Sequence, residues 1–337
     1  MAYHVYISGN GTDSLSHFLM DEQNGCLEAR ENIPTAGQPG AIATNASGTL
    51  MFVALRPQRQ FASYAVDGVS GQLSEIGTVN LEDGAAYVST DGTDRYLLAS
   101  YYGLGGVSVH RIGDDGALSA EPLQWIETGE HAHSIQTDRS NRFAFVPHTN
   151  PVNAIYQFRF DAGSGKLTPN EPPKVQPETP EGPRHFSFHP NRDILYSVNE
   201  NGSTVSAHHF DSTAGTLSSF QVISTLPADF EGENTTAEIE ITPDGKYLFA
   251  SNRGHDSLAF FAVGDDGTLA AAGHFATEPT PRFFALAPGG RFLYALGQGS
   301  GRLAAYRCNA ASADLEPIDT YEIGGGPAWI QFVKQGR

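Results

Sequence analysis

His133, Arg184 and Arg282 each stand near the head of an alternating, strand-like run, in "EHAHSI", "GPRHFSF" and "TPRFFAL". Glu200 and Arg253 each close a second kind of run, in "LYSVNENG" and "YLFASNRG". A neutral imidazole or a carboxylate can take a proton from water, a contribution of roughly 10² to 10⁴-fold. A fixed guanidinium can face a developing oxyanion or fork onto a phosphate or carboxylate. His133 is therefore the first candidate base, and Glu200 the alternative base or its orienting partner. Arg184, Arg253 and Arg282 are anion or oxyanion binders, and His185, Glu238 and His131 are neighbouring candidates for substrate contact. Plainer roles are open to the same residues. The arginines could pair with Glu200, Glu238 and Asp256 as structural salt bridges. His131 and His133 could pack, or form an i, i+2 zinc pair, although two histidines without further Cys or Asp ligands nearby are weak evidence for a metal. Asn252, His255 and Asp256 could be a turn in which Asp bonds backbone. Glu240 reads as a blade-face residue outside the site.

The elements that must position these side chains repeat. A short run recurs as "PGAI", "AAYV", "AHSI", "PRHF", "TAEI", "PRFF" and "PAWI", each of the first six followed by a polar turn and a second run such as "ILYSVNE" or "YLFASNR". A glycine-then-leucine signature recurs independently at Gly25/Leu27, Gly71/Leu73, Gly116/Leu118, Gly165/Leu167, Gly215/Leu217 and Gly267/Leu269, with Ala313/Leu315 lacking the glycine. Short runs rich in aromatic and β-branched residues between Gly, Asp and Asn turns read as strands. Four per repeat predict an all-β, seven-bladed β-propeller with four antiparallel strands per blade. The chain opens on a second-strand pattern and ends on a first-strand pattern, so the terminal strands are expected to share one blade, and residues 1–337 to form a single domain. With strands a to d labelled from the centre outward, the start of a and the end of b lie at one mouth of the channel, where all the candidate residues fall. The two longest connections, "EPPKVQPETPEG" and "STLPADFEGENTT", are expected at its rim.

Composition bounds the function. A formal net charge of −18 argues against a general nucleic-acid surface, which needs a basic patch. A cluster of arginines in so acidic a chain is more purposeful for that reason. No apolar run approaches the length of a membrane span. The opening "MAYHVYISGN" reads as a strand and not as a secretory signal, and the two cysteines form no disulfide framework, so the expected location is the cytoplasm.

The segments "EHAHS", "GPRHFSFHP" with "LYSVNENGSTVS", and "AEIEITPDGKYLFASNRGHDSLAFF" resemble the seven-bladed lactonase family that includes the propeller-type 6-phosphogluconolactonase and the fungal carboxy-cis,cis-muconate lactonizing enzyme. The resemblance implies a metal-independent, cofactor-free site of a histidine, arginines and a glutamate, carried here by His133, Arg184, Glu200 and Arg253. It implies a small anionic lactone as substrate. Hydrolysis of 6-phosphogluconolactone or a related sugar lactone is the leading reading. Cycloisomerisation of a carboxymuconate, and a non-catalytic protein-binding propeller, are the alternatives.

Overall fold

The computed structural model describes residues 2–309, 312 and 314–336. Ala313, which carries the last copy of the turn signature, lies outside them. The fold is an all-β, seven-bladed propeller of antiparallel sheets with no helix among the described residues. Six sheets hold four strands consecutive in sequence. In the seventh, Pro327–Lys334 pairs with Ala2–Gly9, which pairs with Ser14–Asp21 and then Leu27–Ala29, while Ile33–Pro34 adds to the same second strand. The terminal strands therefore share one blade, as the split repeat requires.

The chain falls into two compact units. One contains the closing sheet and most of the sheets spanning 39–80, 87–127 and 136–175; the other contains the sheets spanning 183–224, 235–276 and 281–322. Strands in both are apolar on both faces, because sheets pack face to face within each unit. Along Tyr247–Arg253, Leu248 and Ala250 pack with Tyr196, Val198 and Ile239, whereas Phe249 packs with Phe260, Phe284 and Leu293. The same division runs along Leu50–Leu55: Phe52 and Ala54 join Leu97 and Ala99, while Met51 and Val53 join Tyr6 and Leu15. Period-two side-chain alternation thus feeds two cores from one strand.

The turn signature has a physical cause. At the Asp211 turn, the Asp side chain accepts from the backbone N–H of Thr213 and Ala214, and Gly215 N–H returns to the Asp211 carbonyl at 2.6 Å. Gly215 has φ of 74°, a conformation only glycine adopts without strain, and Leu217 two residues later is buried.

One expected connection is shorter than the sequence suggested. Residues 171–175 continue the outer strand Lys166–Val175, leaving 176–182 as the link. The ladder wins there because a strand that pairs with Ala154–Asp161 gains regular hydrogen bonds that an isolated loop lacks.

Candidate active site

The second unit builds the arginine cluster, and β-bulges are the means. In Pro183–Phe188, Pro183 pairs with Asn199 and His185 with Val198, so Arg184 is the extra residue. In Pro281–Leu286, Pro281 pairs with Gly297 and Phe283 with Leu296, so Arg282 is extra in the same way. The register of Thr235–Ile241 shifts between Thr236 and Ile239, around Ala237 and Glu238. A bulge re-aims side chains that strict alternation would send to one face. It lets Arg184 and His185, adjacent in sequence, both be buried.

Glu200 is the hub of the cluster. Its Oε2 lies 2.8 Å from Arg184 Nε, and its Oε1 lies 3.2 Å from a terminal nitrogen of Arg253. Arg184 also donates to the Ala237 carbonyl, and Arg253 to the Thr236 carbonyl at 2.9 Å. Two guanidinium planes are thereby fixed by one carboxylate and one strand backbone. The Arg184 side chain is 2% exposed, Arg253 12% and Glu200 20%, so the buried end of the cluster grades into a reachable one.

Charge follows this gradient. Burial pulls the Arg184 guanidinium down to about 9, helped by Arg282 and Arg253 and opposed by Glu200 and Glu238, so it stays protonated at neutral pH. Burial would raise the Glu200 carboxyl, but Arg184 and Arg253 outweigh it and hold Glu200 below its ordinary value. Behind them, His185 Nδ1 lies 2.9 Å from Glu238 Oε2, and Glu238 Oε1 accepts from Ile239 N–H at 3.1 Å. Burial pushes Glu238 up to about 8 against the pull of Arg184, the Ile239 bond and Arg282. Burial, with Arg184 and Arg282 adding to it, keeps His185 well below the usual imidazole range. At neutral pH both members of that pair are uncharged. Three guanidiniums, Arg184, Arg253 and Arg282, then stand against one ionised carboxylate, Glu200, a local balance of +2 in a chain of net charge −18.

Of two supporting residues, Asn199 escaped the sequence reading and Asn252 was weighed there only as part of a turn. Asn199 and Asn252 immediately precede Glu200 and Arg253 and are fully buried. Asn199 Nδ2 donates to Thr204 and Ser206 at 2.8 Å, and its carbonyl accepts from Thr236 Oγ1 at 2.7 Å. Asn252 Nδ2 donates to the Thr225 carbonyl, while its Oδ1 accepts from Thr225 Oγ1 and Asn234 Nδ2, pinning both ends of the 225–234 connection. The signal was the shared Asn in "VNE" and "SNR". Asp256 accepts from Gly254 and Thr280 N–H, the backbone-binding turn role weighed for it, and pairs with none of the arginines in a salt bridge among the described residues. Glu240, set aside as a blade-face residue, is likewise used for structure: its Oε2 accepts from Leu286 N–H at 2.8 Å.

His131 and His133 belong to the first unit. His131 adopts φ of 63° and stacks on Tyr102 at 4.1 Å between ring centroids; His133, buried, meets the same ring edge-on at 5.6 Å. The regular ladder begins only at Gln136–Thr137, so His133 precedes the strand it was expected to head, although its N–H still bonds the Pro147 carbonyl at 3.0 Å. The left-handed turn at His131 explains the late start, because it breaks the extended backbone. His148, buried, offers Nδ1 to the Glu130 carbonyl, and burial lowers it to about 4. Among the described residues no group of three or more His, Cys, Asp or Glu side chains is placed to hold a metal ion.

The profile described as "Lactonase, 7-bladed beta-propeller" matches residues 2–82 and 56–332. The chain belongs to the seven-bladed β-propeller lactonase family. Similar curated lactonases include the 6-phosphogluconolactonase of Serratia proteamaculans (strain 568), 33% identical over 98% of both chains. The 6-phosphogluconolactonase of Pectobacterium carotovorum subsp. carotovorum (strain PC1) is 34% identical, again over 98% of both. Among solved structures, the periplasmic gluconolactonase of Pseudomonas aeruginosa superposes over 100% of both chains with a TM-score of 0.91 at 24% identity, a likeness of fold. The chain is a lactonase, and the candidate cluster lies inside the stretch that the family profile matches.

Proposed function

We propose that this lactonase hydrolyses 6-phosphogluconolactone, or a closely related anionic sugar lactone, without a metal or cofactor. The observation that carries the reading is the pair of guanidiniums, Arg184 and Arg253, fixed by the one carboxylate of Glu200. A sugar phosphate is close to dianionic at neutral pH and suits a site rich in guanidiniums. The names borne by relatives at 33% and 34% identity support the same substrate.

In this reading water adds to the lactone carbonyl carbon while His133 takes its proton. A guanidinium faces the oxyanion as it develops, the ring C–O bond breaks, and the proton passes to the departing alkoxide to give the open sugar acid. Glu200 is a poor base, since the arginines that hold it favour its ionised form and weaken its hold on a proton; it orients Arg184 and Arg253. His185 and Glu238, first read as substrate contacts, support Arg184 from the buried side. Arg282 holds the anionic tail, and His131 lines the sugar.

A cytoplasmic location fits the two free thiols, exposed Cys26 and buried Cys308. No helix among the described residues is long and apolar enough to cross a membrane.

The test is a pH-stat panel of lactones with spontaneous opening subtracted. The phosphorylated lactone should have the highest kcat/KM, with the unphosphorylated sugar lactone well below it. Equal values for the two would overturn the anionic-substrate reading, and activity confined to a carboxymuconolactone would replace it.

A further inference from the structure

Tyr102 stands directly after the strand Tyr96–Tyr101, the place that Glu200 holds after Ile194–Asn199. Alternation along the extended chain sends the two neighbouring tyrosines to different surroundings. Tyr101 is buried against Trp125, with its hydroxyl 2.9 Å from that of Ser108. Tyr102 is only partly buried, and its ring meets two histidines of the same unit. The His131 ring lies on it with planes 11° apart, and the His133 ring stands at 83° to it. Both contacts are made by the ring.

The backbone is built to bring these rings together. Thr128 and Gly129 N–H both donate to the Gly105 carbonyl at 3.2 Å, and His131 N–H donates to the Tyr102 carbonyl at 2.9 Å. The turn after Tyr102 is thus docked on the segment that leads into His131. Gly105 has φ of 77°, and a β-carbon there would come within 2.6 Å of the Gly129 carbonyl, so this approach requires glycine. Leu104 N–H donates to Asp83 at 2.9 Å and holds the same turn. From the other side, His133 N–H bonds the Pro147 carbonyl at 3.0 Å, and His148 Nδ1 donates to the Glu130 carbonyl at 2.9 Å.

Those bonds fix the backbone around His133 but not its imidazole. The last torsion of a histidine side chain is broad and roughly two-fold, so the ring plane is set by what the ring touches. An aromatic neighbour met edge-on favours the perpendicular arrangement seen here, and His131, stacked on Tyr102, holds that neighbour in place. Orientation matters to a base. It must come within about 3 Å of the group whose proton it takes, and a misplacement of about 1 Å can cost roughly 10²-fold.

We propose that Tyr102 is a positioning residue for lactone hydrolysis: its ring sets the plane of the His133 imidazole and so aims the nitrogen that takes the proton from water. This rests on the reading of His133 as the base. The experiment is a double-mutant cycle on the full-length protein, using the most rapidly opened lactone of the pH-stat panel. Tyr102→Leu should lower kcat by about tenfold, the upper range of what one aromatic pair contributes, with KM little changed. Tyr102→Phe keeps both ring contacts and should recover most of the loss. In the His133→Gln background Tyr102→Leu should cost kcat nothing further, because its effect passes through the imidazole. An equal loss in both backgrounds, the same loss in Tyr102→Phe, or wild-type kcat in a folded Tyr102→Leu would each overturn the proposal while leaving His133 as the base. Full turnover in His133→Gln would remove the base and the proposal with it. In the wild type, a nuclear Overhauser contact should join the ring protons of Tyr102 and His133, and its absence would overturn the proposal whichever variants fold.

Discussion

At the scale of residues, Glu200 and Glu238 are two carboxylates of one cluster driven in opposite directions. Glu200 faces two guanidiniums and is held ionised; Glu238 is buried against a neutral imidazole and holds its proton up to about pH 8. Glu200→Gln leaves the three arginines without their shared counter-charge. Its kcat should fall by about 10²-fold, the order seen when an oxyanion donor is lost or displaced. A folded variant with wild-type kcat would reduce Glu200 to a structural ion pair. Glu238 makes a separate prediction through stability. Its folded value lies above the unfolded one, so between about pH 4.5 and 8 the folded state binds more protons and stability declines as pH rises. Glu200 and His185, both lowered, contribute in the other sense, below about pH 4.5 and 6.5 respectively. Thermal melts of wild type and Glu238→Gln across that window should therefore show the wild type losing more stability toward pH 8. Parallel curves would mean that Glu238 is ionised throughout. Arg282→Ala should mainly raise KM for a phosphorylated lactone, with little change for its unphosphorylated analogue, because a group on a remote anion stabilises ground and transition states alike.

At the scale of elements, what was legible was the period. Alternation, the Asp and Gly turns and the buried leucines marked out seven sheets, because each rests on local geometry. What escaped was irregular. A bulge shifts register by one residue without any marked change in composition, so "PRHF" and "PRFF" read as plain strand heads although Arg184 and Arg282 are the bulged residues. The left-handed residue that delays the strand after His133 is His131 and not the nearby Gly129, so the sequence did not mark its place. The supporting role of Asn252, weighed only as part of a turn, was hidden because partners 18 and 27 residues away define it, and that of Asn199 because its partners lie on the next strand. Asn252→Leu tests the former: it removes one of the two acceptors of Thr225 Oγ1 and of Asn234 Nδ2, whose bonds to Ser203 remain, and a donor to the Thr225 carbonyl, and should cost about 1–3 kcal/mol. Hydrogen exchange should quicken across 225–234 with the core strands unchanged, and an unaltered loop would remove Asn252 from its support.

At the scale of the molecule, the shared closing blade makes the C-terminal strand a neighbour of the N-terminal one. Trp329 and Val333 of that strand pack into cores with Tyr6, Ile42 and Phe52. We infer that residues 1–337 unfold as a single domain, and that deleting 324–337 abolishes cooperative melting; a truncated chain melting near the intact midpoint would contradict this. Activity should survive exhaustive chelation, and loss restored by one divalent ion would contradict the metal-free reaction. The most direct measurement of the central claim is kcat/KM for 6-phosphogluconolactone, corrected for spontaneous opening, in the wild type and in His133→Gln. The proposed reaction predicts rapid turnover in the wild type and loss of most of it in the variant, with binding of the open sugar acid largely retained because the arginines remain. Equal turnover in the two proteins would contradict it.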